Sequence, residues 1–178
     1  MSVLSGIRKS VQQVAEAISI ALGVEVEIVD NKLNILGGTG PYRDQIGQKE
    51  EGGDVEGEYL YARVLRSGVT QYVEDARKDE DYDVTGKGYT VSGELAEICT
   101  PIVLDGKIIG IIGLVAFSEE QKRILADKNR NMTDFVEKMA DLLAAKADQQ
   151  ETLENVEVSR DEMSIVLETA HEGIFALD

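Results

Sequence analysis

At 178 residues the chain has room for one domain of ordinary size and a long helix beside it. A formal net charge of −16, from 34 acidic residues against 18 Lys and Arg, repels nucleic acid, so any DNA contact would have to come from another part of a longer protein. A single Cys and a single His exclude a disulfide framework and a Cys- or His-based metal constellation, and no run of 18 apolar residues offers a membrane span.

Val3, Leu4, Ile7, Val11, Val14, Ala15, Ile18 and Leu22 recur at helical spacing, and Gly23 fits the end of the helix. Arg8, Lys9 and Glu16 interrupt this segment too often for a signal peptide, so the chain reads as cytoplasmic. Leu4, Ile7, Val11, Val14 and Ile18 also fit a heptad. This face packs on its own domain, or on a partner helix, or different faces do both.

Val24 to Val29 alternates as a half-buried strand, Asp30-Asn31 turns, and Leu33 to Leu36 returns as a second strand. The stretch from Gly37 to Gly57 is Gly-rich, acidic and aperiodic. Gly57 to Ser67 reads as a helix ended by Gly68, and Val69 to Val73 as a short strand. Glu74 to Gly93 is polar and reads as a long loop over one end of the sheet. Leu95 to Leu104 and Lys107 to Phe117 are strands joined at Asp105-Gly106, the second apolar enough to be central.

Ser118 and Gln121 form a capping box for a helix expected to run to about Glu154 or beyond. A heptad stripe follows: Leu125, Lys128, Met132, Phe135, Met139, Leu142, Lys146, Gln149, Leu153, Val156, Arg160, Met163, Leu167. Polar residues on such a seam lower stability and set register, which suits a relay between two packings. Tight turns between neighbouring strands argue against a βαβ nucleotide fold. The expected class is α+β: an antiparallel sheet flanked by helices with a long C-terminal coiled-coil helix. Its expected parts are a core over 1–118, a dimerising helix over 119–162 and a further element from 163 to 178.

Two segments give this fold a family resemblance. The stretch Glu97-Ile98-Cys99-Thr100-Pro101-Ile102-Val103-Leu104-Asp105-Gly106-Lys107-Ile108-Ile109-Gly110-Ile111-Ile112-Gly113-Leu114 resembles the C-terminal hairpin of GAF-type ligand-sensing domains, and the first helix leading into Leu22 to Asp30 is similar to their opening. Val115 to Arg123 resembles the form found ahead of sigma-54-dependent transcriptional activators, and Met163 to Asp178 resembles the start of a PAS domain. The resemblance implies a sensor for a small-molecule effector, homodimeric through its N- and C-terminal helices, without cofactor and without direct nucleic-acid contact. Gly173 to Leu177 would be a strand lacking its sheet, and Asp178 an imposed end.

GAF domains hold ligand between the sheet and the loops above it. By position, Tyr59, Arg63, Tyr72, Arg77, Tyr89, Glu97, Cys99 and Thr100 are the candidates for lining that space. A tyrosine offers a flat face with a hydroxyl, and Arg63 or Arg77 would suit a carboxylate or phosphate. Against this stands ordinary packing for the tyrosines and ion pairing for the arginines. Cys99 reads as a small buried hydrophobe, with a GAF-type redox enzyme using Cys99, or a purely dimerising module, as the alternatives. Cys99 is followed by Thr100, so a bilin-binding Cys-His pair is absent. Asp75, Asp79, Asp81 and Asp83 lack EF-hand spacing, and Gly37 to Gly40 has no following Lys-Ser/Thr for a P-loop.

Overall fold

The computed structural model describes residues 2–79, 93–127 and 131–175, with side chains as far as Ile165. The N-terminal helix forms, but in two pieces. α1 (Val3–Gly6) and α2 (Arg8–Leu22) meet at Ile7, whose φ of −112° and ψ of 26° leave the helical region. Gly23 ends α2 in the left-handed region at φ 74°, its N–H donating to the Ser19 carbonyl at 2.8 Å. β1 (Glu25–Asp30) and β2 (Ile35–Gly38) follow. The Asp30 carboxylate organises their turn by accepting from Lys32 N, Asn34 N and Asn34 Nδ2.

The aperiodic stretch contains two 3-10 helices, Gly40–Gln45 and Glu50–Gly53. α3 (Leu60–Ser67) ends at Gly68 as expected, and β3 (Gln71–Val73) is shorter than expected. A 3-10 turn at Ala76–Lys78 is the described start of the long loop. β4 (Ala96–Leu104) and β5 (Lys107–Ala116) make the hairpin, with Asp105 at φ 49° and Gly106 at φ 74°, the double positive φ of a type I′ turn. The sheet runs β2-β1-β5-β4-β3, antiparallel throughout, with β5 central.

Alternation along the strands gives the sheet two faces, and both are covered. Val26, Ile28, Ile98, Ile102, Ile112 and Leu114 pack against α1, α2 and the C-terminal helices. Val29, Cys99 and Ile111 face Leu60, Tyr61 and Val64 of α3, with Leu33 and Ile35 alongside. α3 thus lies apart from the other helices. β1 is buried on both sides instead of half-buried, and Glu27 goes inward with it.

The C-terminal helix corrects one expectation. The capping box at Ser118 is present, with Gln121 N–H donating to Ser118 Oγ at 3.1 Å and Phe117 N–H to Gln121 Oε1 at 2.8 Å. It opens only α4 (Glu119–Leu125), and a separate α5 (Met132–Phe175) carries on. Leu125 therefore lies on a different helix from the seam it was assigned to, and Lys128 lies outside the described residues. α5 buries Met132, Val136, Ala140, Leu143, Ala144 and Ala147 in its own domain. Among the seam residues, Phe135 and Met139 are half-buried, whereas Leu142, Leu153, Val156 and Met163 are largely exposed. From Glu151 to Ile165 every side chain is exposed, which is about 22 Å of helix.

The N-terminal heptad set, by contrast, belongs to the protein's own core, with Leu4, Ile7, Val11 and Ile18 all buried. Ile20 is the apolar residue α2 leaves outside. The expected strand at Gly173 to Leu177 is helical as far as Phe175, and the remaining residues lie outside the described part. No described helix is long and apolar enough to cross a membrane.

Candidate functional site: a buried carboxylate layer under α3

The α3 face of the sheet is where polar chemistry is buried. Across this face one row of paired residues reads Gly38 (β2), Glu27 (β1), Gly113 (β5), Cys99 (β4) and Gln71 (β3). Glu97 lies one pleat along β4 on the same face. Glu27 is 2% exposed and Tyr61, which reaches down from the first turn of α3, is 1% exposed. Glu50, Glu51, Glu94 and Glu97 are buried as well. Carboxylates are rarely fully buried, so five buried glutamates in one small domain set this face apart from ordinary packing.

The two glycines of the row make room for what lies above them. A Cβ on Gly113 would meet the Tyr61 hydroxyl and lie 2.5 Å from Glu97 Oε1, and one on Gly38 would lie 2.6 Å from Tyr42 Cβ. Tyr42, buried over Gly38 with its ring 5.8 Å from that of Phe117, donates its hydroxyl to Glu94. Glu51 accepts from the Tyr61 and Ala62 amides at 2.5 and 2.9 Å, capping the N-terminus of α3 from the preceding 3-10 helix. This contact takes up two of the N–H groups that a helix start leaves over. Glu51 holds a φ of 50° to reach them.

Glu27 and Tyr61 are not satisfied in this way. Glu27 Oε1 and Tyr61 Oη are buried and complete no hydrogen bond of ordinary geometry. The Tyr61 hydroxyl is close enough to favour the Glu27 carboxylate, but only against larger opposing effects. Burial first, then the neighbouring Glu50 and Glu97, push the Glu27 carboxyl well above the usual range. Burial likewise raises Tyr61, reinforced by Glu27 and Glu97, and raises Glu51 to about 7 in spite of its two amide bonds. Leaving a buried polar atom without a partner costs about 1–3 kcal/mol, so Glu27 Oε1 is held in place against a standing penalty.

The eight residues expected from the sequence divide sharply. Glu97 and Cys99 lie on this face, Arg63 of α3 lies beside it with Asp79 at 3.9 Å, and Tyr59 precedes α3 and packs on the same cluster. Tyr72 and Thr100 belong to the opposite face. Neighbours along a strand point to opposite sides, so Cys99 and Thr100 cannot share a pocket. Tyr72 lines a groove of about 330 Å³ with Leu125, Asn131 and Met132, and Thr100 Oγ1 lies 3.0 Å from Thr70 Oγ1, which donates to Glu137 of α5 at 2.8 Å. Arg77 is turned outward onto Asp75 and Glu119. Asp75 also takes Lys122 at 2.8 Å, and the hydrogen bonds from Arg77 and Lys122 hold its carboxyl well below the usual range. Tyr89, Asp81 and Asp83 lie outside the described residues.

Cys99 is fully buried, and burial, with Glu97, Glu51 and Glu27 nearby, pushes its thiol well up, opposite to what a nucleophilic thiol needs. Among the described residues no three His, Cys, Asp or Glu side chains are placed to hold a metal ion. The sequence reading missed Glu27, Tyr42, Glu50, Glu51, Tyr61 and Glu94. The signal for Glu27 was its pairing opposite glycines on both neighbouring strands, which only the register reveals.

A family model of the GAF domain matches residues 7–145. The chain belongs to the GAF domain family. It is 28% identical over 148 residues to an Escherichia coli (strain K12) protein provisionally named a uric acid sigma-54-dependent transcriptional regulator, UacR. That match takes in 82% of this chain and 24% of the relative, so the chain spans about a quarter of the relative's length. Among solved structures, the GAF domain from a phosphoenolpyruvate-protein phosphotransferase of Coxiella burnetii is 15% identical with a TM-score of 0.59, covering 83% of this chain and 86% of that one. A free methionine-R-sulfoxide reductase from Neisseria meningitidis, in complex with its substrate, is 16% identical with a TM-score of 0.55, covering 82% and 80%. At these identities the structural likenesses show the fold.

Proposed function

We propose that this GAF domain is the small-molecule sensor of a transcriptional regulator of the sigma-54-dependent type. It binds its effector in the carboxylate layer under α3 and reports occupancy through α5. The observation that carries the proposal is the contrast between the two sheet faces. One is packed with apolar side chains apart from the groove beside Tyr72, while the other buries Glu27 and Tyr61 with hydrogen-bonding capacity to spare. The UacR likeness supports the regulator setting and makes uric acid the first compound to try.

The output follows from α5. Its heptad stripe carries Leu142, Leu153, Val156 and Met163 in exposed positions, the pattern of a helix that pairs with its counterpart in a parallel homodimer. Effector binding shifts the balance between two packings of that pair, toward a PAS-type domain and DNA-binding parts elsewhere in a longer cytoplasmic protein. A ligand can do this only by binding one packing better than the other. The chain works by binding without turnover, in keeping with its single, buried thiol.

Light scattering and thermal melting test this together. The wild type is expected to be a dimer, and uric acid or another small metabolite in a panel is expected to raise its melting temperature saturably. Leu153→Asp with Val156→Asp is expected to give a folded monomer that still binds. A wild-type chain that stays monomeric at 100 μM, about a hundred times a micromolar dissociation constant, and melts identically with every compound refutes the proposal.

A further inference from the structure

We infer that the effector presents N–H donors to the Glu27 carboxyl and that a carboxylate or phosphate is rejected there. This rests on the sensor reading of the preceding section and names the chemistry of the same site. The acceptor side is already built. Glu27 and Glu97 stand on neighbouring strands with Glu50 close enough to act on Glu27 electrostatically. The other members of the layer are engaged, Glu94 with the Tyr42 hydroxyl and Glu51 with the start of α3. Glu27 Oε1 and the Tyr61 hydroxyl are among the buried atoms of this face that complete no hydrogen bond of ordinary geometry.

A cationic N–H pair would draw the Glu27 carboxyl, which burial pushes toward its protonated form, to the ionised one, and two parallel N–H groups are the arrangement that makes amidine and guanidine recognition strong and specific. A ligand carboxylate or phosphate would bring its charge into a layer of buried glutamates. The cation once expected to receive such a group, Arg77, faces away from the layer, and Arg63 has Asp79 beside it. Two kinds of compound offer N–H donors here. One is a cationic amidine or guanidine with two parallel N–H groups; the other is a neutral lactam-type ring, whose single N–H would go to Glu27 and whose adjacent carbonyl could take the Tyr61 hydroxyl as donor.

Three small probes separate these: acetamidine, uracil, and acetate, the last matching acetamidine in shape with the opposite charge. The readout is chemical-shift change at the backbone amides of Glu27, Cys99 and Gly113 on titration of the whole chain at pH 7. Acetamidine or uracil is expected to move these amides saturably and acetate to leave them still. The stronger of the two identifies the cationic or the neutral class. Glu27→Gln is expected to weaken that probe at least tenfold, while Glu120→Gln, on the exposed first turn of α4, leaves it unchanged. Should Glu27→Gln fail to fold, Tyr61→Phe with the uracil titration serves instead, with the same tenfold weakening expected. Acetate binding at these amides overturns the inference and leaves the sensor reading standing. Silence from all three probes also overturns it, and the sensor reading then rests on its own melting panel.

Discussion

Raising the pH from 5 to 8 is expected to destabilise this domain, because the folded state holds a proton on Glu51 that the unfolded chain releases. Burial is the main cause of its raised pKa, about 7 against an ordinary 4.5. A carboxyl raised on folding contributes stability that is whole below the unfolded pKa and fades as the pH climbs through the folded one. At pH 5 the folded group is almost fully protonated and the unfolded one mostly ionised. By pH 8 both are ionised. The linkage between those limits amounts to about 2.5 kcal/mol. With a urea m-value of about 2 kcal/mol/M, the midpoint should fall by about 1 M. Glu27, raised in the same direction, adds to the fall. Asp30 and Asp75, both lowered, carry stability above their unfolded pKa and lose it only in more acid solution, so they stay flat over this window. Urea titrations of wild type and Glu51→Gln at pH 5 and pH 8 read the effect. The variant should keep only the share owed to Glu27 and other groups, whatever its absolute stability. A wild-type midpoint that is equal or higher at pH 8, or a variant that falls by as much as wild type, would refute the reasoning.

Three further outcomes are expected from the same geometry. Gly113→Ala should destabilise by about 1–3 kcal/mol in urea titration, since its Cβ has no room beneath Tyr61 and Glu97; a loss below 0.5 kcal/mol, on the order of an ordinary surface change, would contradict the close approach. Cys99 should resist iodoacetamide in the folded chain at pH 8 and react once urea unfolds it, as mass spectrometry would report, and labelling at the rate of a free thiol would contradict its burial. Thr70→Val should cost about 1 kcal/mol by breaking the bond to Glu137 and should loosen the seat of α5 in hydrogen exchange without changing probe affinity under α3; unchanged exchange in α5 would remove Thr70 from the proposed relay.

Turns and helix ends were legible because they depend on local conformation. Gly23, Gly68 and Asp105-Gly106 each occupy positive φ, and each was found from residue type alone. The break between α4 and α5 was not legible, since the apolar spacing carries through it. The site was half legible for a related reason. Alternation in Val24-Glu25-Val26-Glu27 assigns both glutamates to solvent, and it would have been right had nothing covered that face. The cover comes from the two 3-10 helices and α3, whose sequence is mostly aperiodic, so Glu27 is enclosed by segments that no strand pattern foretells. Tyr72 and Thr100 were misplaced for the simpler reason that period two was not applied across β3 and β4.

The two stripes of α5 differ in a way that bears on signalling. Toward its own sheet the helix presents Ala140, Leu143, Ala144 and Ala147 beyond Val136, three small side chains that form low ridges beside one large one. Toward solvent it presents Leu142, Leu153, Val156 and Met163, each worth about 1.5–3 kcal/mol if fully buried against a second copy. Lys146, Gln149 and Arg160 on the same stripe offset part of that gain. A helix seated on its own sheet on one side and, in the proposed homodimer, paired with moderate strength on the other could be moved by a few kcal/mol. The firm polar attachment lies near its start, where Glu137 meets Thr70 and, through it, Thr100 of β4. The neighbouring residues of β4, Glu97 and Cys99, face the carboxylate layer. One strand therefore has its two faces in the two places the proposed relay must connect, and a displacement of β4 by an occupant under α3 has no shorter path to α5.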